Sequence, residues 1–315
     1  MKRLAIVVPC FNEEEMFEYT NNELKKFLEV LISKKKIQAN SFILYVNDGS
    51  KDNTWNLIKQ AYNDSKMVFA LNLAGNKGHQ NALYAGLMYA KNDADVTVSI
   101  DADLQDDVLA IEEMIDKYND GCDIVCGVRN DRSSDSFFKR NTALLFYKIM
   151  NFLGAKSIYN HADFRLMSSR SLEELGQYSE CHLYLRGIIP HLGFRQECVY
   201  YSRKKRLKGE SKYPFKKMLA FAFNGISSFS VKPLTMILYL GIISIAISFI
   251  AVIYSVAQHF QGDTISGWTS TFISIWFLGG VQLASIGILG QYLGKTYIET
   301  KKRPRYFIES YLKHD

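Results

Sequence analysis

Asp101, Asp103 and Asp106 stand directly behind Val96-Thr97-Val98-Ser99-Ile100, a short apolar and β-branched run. Such a run reads as a buried strand. Carboxylates at the C-terminal edge of a strand lie where open α/β sheets bind their ligands. Two Asp one residue apart, with a third three residues on, make a hard, oxygen-rich site. That chemistry suits Mg²⁺ or Mn²⁺ carrying a diphosphate, because these ions take carboxylate and phosphate oxygens and keep some water. An isolated Asp-x-Asp is more often an acidic turn with no ligand, so the rest of the chain has to decide.

The elements needed to hold those carboxylates are legible upstream. Leu4–Val8, Phe42–Val46, Val68–Asn72 and Asp123–Val128 read as further strands. Helical spacing runs from about 14 to 34, after Asp52 as a cap, from Asn81 to Ala90, and near 108–118. Strand and helix in alternation predict an α/β fold with a doubly wound, mostly parallel sheet. Polar clusters follow each strand: Pro9-Cys10-Phe11-Asn12-Glu13, then Asn47-Asp48-Gly49-Ser50-Lys51-Asp52, then Gly75-Asn76-Lys77-Gly78-His79-Gln80. The last of these looks like a phosphate-cradling loop but has neither P-loop nor dinucleotide spacing.

The second half changes character. Residues 136–153 read as an amphipathic helix with bulky apolar groups, either core or lipid-facing. His161-Ala162-Asp163-Phe164-Arg165-Leu166 then breaks the helical pattern with two charges among apolar residues. Residues 1–202 carry 23 Lys/Arg against 27 Asp/Glu, whereas 203–217 alone carry eight basic residues and one acidic. Phe215, Met218, Leu219, Ala222, Ile226 and Phe229 follow at interfacial-helix spacing. A basic cluster beside apolar segments points to an anionic membrane surface, and no recognition helix or RNA-binding motif accompanies it, so nucleic acid is not expected.

Leu234–Ala257 and Trp268–Gly294 are uncharged runs of 24 and 27 residues. Each could cross a hydrocarbon core of about 30 Å as a helix. Their connector, 258–267, has no Lys or Arg, while both outer flanks are rich in them. The positive-inside rule therefore predicts a multi-pass protein with both flanks in the cytoplasm. Four segments result: a catalytic-type domain at 1–202, a basic juxtamembrane segment at 203–232, a two-helix membrane domain at 233–294, and a basic cytoplasmic tail at 295–315. The five cysteines are scattered and odd in number, which fits free thiols in a reducing compartment. Leu4–Val8 is too short an apolar run for a signal peptide.

Taken in order, the clusters at 9–13, 47–52 and 101–106 resemble the inverting family-2 glycosyltransferases, which have the Rossmann-like GT-A fold. The segments 161–166 and Arg206-Leu207-Lys208-Gly209-Glu210-Ser211-Lys212-Tyr213, with the two apolar runs, resemble the polyisoprenyl-phosphate branch, including bactoprenol glucosyltransferases and, more distantly, dolichol-phosphate mannosyltransferases. The likeness covers essentially the whole chain. Asn47 departs from it, since many members have Asp there, and implies at most rearranged nucleotide contacts.

The resemblance implies a UDP-sugar donor and a polyisoprenyl phosphate acceptor, undecaprenyl phosphate in a bacterial plasma membrane. Pro9, Asn12, Glu13 and Asp48 would hold uracil and ribose, and Lys77 and Gly78 would lie near the donor. Asp101 would contact nucleotide or sugar, and Asp103 would ligate Mg²⁺ or Mn²⁺. Gln105 and Asp106 would face the donor sugar. Asp163 and Arg165 enter as catalytic candidates, Asp163 as an organiser of Arg165 or the acceptor before a proton acceptor, with a purely structural ion pair as the plain alternative. Arg203, Arg206, Ser211 and Lys212 would meet phosphate at the membrane surface. The family also suggests a homo-oligomer, with a tetramer as its form. A processive polysaccharide synthase would carry Gln-x-x-Arg-Trp, absent here, and a non-catalytic membrane scaffold would have no need of Asp101, Asp103 and Asp106.

Overall fold

The computed structural model describes residues 1–130, 161–180, 185–202, 232–260 and 267–314. Four of the apolar runs become β1 (Leu4–Cys10), β2 (Phe42–Asn47), β3 (Val68–Leu73) and β4 (Val96–Ser99), and every residue in them is buried. Burial on both faces is what a near-continuous hydrophobic strand requires, and it belongs to parallel sheets covered by helices. The four pair in parallel in the spatial order β4-β1-β2-β3. The connecting helices are α1 (Glu14–Ser33), α2 (Thr54–Asp64) and α3 (His79–Ala90). Helix α1 turns Phe17, Leu24, Phe27, Leu28 and Leu31 inward, the three-and-four spacing of one helical face. Asp52 does not cap α2 from the N-cap position, which Asn53 occupies. Its carboxylate instead accepts from the amides of Thr54 and Glu14, so one side chain ties the starts of α1 and α2.

Helix α4 (Ala110–Asn119) leads to β5 (Ile124–Arg129). The stretch that broke the helical pattern is β6 (His161–Ser168), laid antiparallel between β4 and β5. After it come α5 (Ser169–Gln177), capped by the Ser168 hydroxyl, the single turn α6 (Leu185–Ile188), and β7 (Gln196–Tyr201) beside β5. The eighth strand is unexpected. β8 (Ile308–Leu312) lies antiparallel along β3, so the segment 295–315 is not simply a tail: its first residues finish a helix and its later ones close the sheet. The Tyr62 hydroxyl donates to the Lys313 carbonyl, and the His314 ring stacks on Tyr62 with centroids 4.2 Å apart. The full order is β7-β5-β6-β4-β1-β2-β3-β8.

The sheet forms one compact unit that includes 303–314, and a second unit is helical. The helical unit contains α7 (Lys232–Phe260) and α8 (Trp268–Thr300), of 29 and 33 residues. Among the described residues one stretch, Phe277–Thr300, is long and apolar enough to cross a membrane; the apolar run in α7, Lys232–Ser244, is shorter. The expected two spans are therefore matched at one. The expected helices at 136–153 and 215–229, and Arg203, Arg206, Ser211 and Lys212, lie outside the described residues.

Candidate active site

Parallel strands deliver their C-terminal loops to one edge of the sheet. Here that edge collects the loops after β1, β2, β3 and β4, which carry the predicted donor residues. The first two are laced together. Asn12 sits at φ 54°, its amide donates to the Ser50 hydroxyl at 3.0 Å, and its side-chain oxygen accepts from the Lys51 amide at 2.9 Å. The Glu13 amide donates to the Thr54 hydroxyl at 2.9 Å. A left-handed Asn is tolerated because its short side chain bonds the backbone locally. Pro9 is buried in β1, while Asn12 is exposed and Glu13 half-buried at the rim.

Asp48 ties two of these loops together. It is 2% exposed, and its two oxygens accept from the amides of Lys77 at 2.7 Å and Gly78 at 2.9 Å. The carboxylate braces the loop after β2 against the loop after β3. Burial raises its pKa, and the two amide bonds and the charge of His79 offset only part of that. Gly49 makes the crossing possible: at φ +64° a Cβ there would stand 2.5 Å from the Asn76 nitrogen. Lys77 and Gly78 therefore contribute their amides to Asp48, and the Lys77 ammonium lies 6.0 Å from the Phe307 ring centroid. Asn47 is buried as well, accepting from the Ser50 amide at 3.2 Å.

At the end of β4 the carboxylates divide. Leu104 takes a left-handed φ of 44°, and its amide returns to the Asp101 carbonyl at 3.2 Å. This tight reversal leaves Asp101 and Asp103 partly exposed and tucks Gln105 and Asp106 inward, at 7% and 1% exposure. Gln105 and Asp106 are thus buried behind the rim. Asp106 accepts from the Tyr201 hydroxyl at 2.6 Å and from Arg129 at 3.0 and 3.2 Å. Replacing Arg129 by Met leaves that carboxylate buried without its counter-charge. The expected result is a loss of about 2–3 kcal/mol, seen as a lower denaturant midpoint at unchanged slope.

The antiparallel register of β4 and β6, which pairs Val96 with Ser168 and Ser99 with Arg165, carries on to set Asp163 beside Asp101. The side chain of Asp163 is 7% exposed and ion-paired with Arg186 at 2.9 Å. Gln80 donates to it at 3.1 Å, and His79 lies 3.5 Å from it and 3.6 Å from Asp101. Burial alone would raise the Asp163 pKa, but Arg186 and His79 outweigh it and hold the carboxyl well below the usual range. A carboxylate so occupied organises its neighbours and is a poor proton acceptor. Asp163 pairs with Arg186, while Arg165 lies two residues further along β6, between β4 and β5, at 2% exposure. Asp101 is raised to about 6, by burial first and then by Asp163, Asp106 and Asp103, against the opposing pull of His79.

His79, Gln80, Arg129, Arg186 and Tyr201 escaped the sequence reading. Only His79 and Gln80 had a signal, their place at the end of the 75–80 cluster. As for a metal ion, no group of three or more His, Cys, Asp or Glu among the described residues forms a cage. Zinc would need one; Mg²⁺ or Mn²⁺ on a diphosphate needs one or two carboxylates and water. Partly exposed Asp103, with Asp101 two residues away, fits that demand.

Residues 5–176 match the family model described as glycosyl transferase family 2. The chain is 55% identical over 306 residues, 97% of this chain and 91% of the relative, to the Bacillus subtilis (strain 168) protein called uncharacterized glycosyltransferase YkoT. It is 38% identical to the prophage bactoprenol glucosyl transferase homolog of Escherichia coli (strain K12), over 98% of both chains. It is also 38% identical to the bactoprenol glucosyl transferase of Shigella phage SfX, over 98% of this chain and 99% of that one.

Proposed function

This chain belongs to glycosyl transferase family 2 and is a glycosyltransferase, and from that premise we propose that it moves one sugar, glucose, from a UDP-sugar onto undecaprenyl or a similar polyisoprenyl phosphate. The observation that carries the acceptor is the length of the likeness to bactoprenol glucosyl transferases, 98% of each chain for the Escherichia coli relative. It runs past the sheet through the helical segment, which a soluble acceptor would not need.

The donor loops at 9–13 and 47–52 would hold the nucleotide, with Asp48 bracing the second of them against the loop after β3. Asp103 would hold a divalent cation against the diphosphate, which when bound supplies Lewis-acid stabilisation of the departing UDP. The attacking oxygen belongs to a lipid monophosphate, already anionic near pH 7 with a second pKa of about 6, so no general base is required. Positioning and electrostatics then carry the reaction. Asp163, with Arg186 and His79, would order the groups around Asp101. Arg203, Arg206, Ser211 and Lys212 would collect the acceptor phosphate at an anionic surface.

Two crossings of a bacterial plasma membrane are favoured by the ladder of β3 and β8. Residues before and after the helical unit share one sheet. A chain that leaves that sheet and returns to it crosses a bilayer an even number of times. With basic residues on both flanks, the sheet unit would face the cytoplasm. A homo-oligomer, a tetramer by family likeness, completes the proposal. Membranes holding the protein should convert undecaprenyl phosphate and one member of a panel of labelled nucleotide sugars into a lipid heavier by one hexose. A product carrying several sugars, or none with any donor, would sink this reading.

A further inference from the structure

We propose that Glu309, on the strand that follows the last long helix, is a positioning residue for the loop 47–52, acting through Asn72 and Asn47. The inference rests on the reading of that loop as part of the donor site. Glu309 Oε2 accepts from Asn72 Nδ2 at 2.6 Å, and Asn72 Oδ1 accepts from Asn47 Nδ2 at 2.7 Å. Asn47 Oδ1 in turn accepts from the Ser50 amide at 3.2 Å. The two asparagines are buried, at 3% and 6% exposure. A carboxylate at one end can only accept and a backbone N–H at the other can only donate, so each amide between them has a single workable orientation. The chain of bonds is polarised from end to end.

Strand geometry makes the first link. In the β3–β8 ladder Asn72 faces Ser310 and Leu73 faces Ile308, so Glu309 is the extra residue of a β-bulge. Bulges re-aim a side chain, and here the re-aimed one meets Asn72. The same strand steadies the neighbouring loop, since the Phe307 carbonyl accepts from the Ala74 amide at 2.9 Å. That loop supplies the Lys77 and Gly78 amides to Asp48.

This polarity explains why Asn serves at position 47. A carboxylate there would offer Asn72 only lone pairs. If Asn72 turned its NH₂ toward it, its carbonyl would face Glu309. Asp at 47 and Glu at 309 therefore cannot both be satisfied by Asn72, and leaving one buried acceptor facing another carries the cost of an unmade bond. Gln at 309 removes the conflict, because its amide can turn to donate.

A double-mutant cycle tests this, read in both the unfolding midpoint and donor kinetics. Asn47→Asp is expected to lower the midpoint and raise the donor KM about tenfold, with kcat changed less than about twofold. Adding Glu309→Gln should recover most of both losses. Glu309→Ala alone should raise the donor KM by about threefold to fivefold, with Glu309→Gln milder than Ala. Additive effects in the cycle would overturn the proposal, and so would recovery of the midpoint with a donor KM that never moved. If the wild-type protein turned over no UDP-sugar with any lipid phosphate, the proposed function would fall. The unfolding midpoints alone would then decide whether Glu309 and Asn47 are coupled, additivity again counting against it.

Discussion

Replacing Asp103 by asparagine is expected to cut sugar transfer by about 10³-fold or more while moving the unfolding free energy by less than about 0.5 kcal/mol. The two halves of that expectation have separate causes. Asp103 sits half-buried at the mouth of the β4 turn, and asparagine keeps the side-chain oxygen that accepts from the Gln105 amide at 3.3 Å, so the near-isosteric exchange disturbs the fold little. The chemistry asks a great deal, because a diphosphate cannot depart easily unless its developing charge is met. Removing divalent metal with a chelator should silence the wild type to a similar degree, and adding back Mn²⁺ or Mg²⁺ should restore it. The asparagine variant should respond to neither treatment. Activity that survived in both experiments would mean that the leaving charge is met by protein groups instead.

The second large effect falls on the neighbouring cluster and on stability. Asp163→Ala should lower the unfolding free energy by about 2–4 kcal/mol, since Arg186 and His79 lose the carboxylate between them. The figure sits below that for a fully buried pair because the Arg186 side chain is 35% exposed. The pH dependence has a definite sign. The Asp163 pKa is depressed in the folded protein, so its contribution is fully present above the unfolded carboxylate value near 4 and is lost as pH falls toward the folded value. Stability curves for wild type and variant should therefore run apart at neutral pH and converge in acid. Parallel curves down to pH 2 would show that Asp163 is not held as an anion by its partners.

Much of this architecture can be read from residue types. β1 to β4 announce themselves because each is buried on both faces and so is mostly apolar or β-branched. β6 is hidden because Asp163 and Arg165 interrupt its pattern, and its antiparallel place between β4 and β5 is a long-range choice. β8 carries Glu309 and Ser310 among its five residues and lies in a basic neighbourhood, which hides it as a strand. The donor edge was legible for the same reason as its strands, since each loop follows an apolar run. The orientation of its carboxylates was not. Asp48 and Asp106 look, in sequence, like Asp103; what turns them inward is Gly49 at positive φ in one case and Leu104 in the other. Leu is an improbable residue for the left-handed region, so nothing local could foretell that turn. Arg186 reaches Asp163 from a separate element with no local pattern to link them.

The late position of β8 has a consequence for synthesis. Its partner β3 is translated long before it, with the entire helical unit in between. Until the ribosome releases residues 308–312, the outer edge of β3 offers its backbone groups to any passing strand. A nascent chain stalled within the helical unit would carry an open sheet edge, and exposed edges seed aggregation. Completion of this sheet thus waits on the strand that is translated last of its eight.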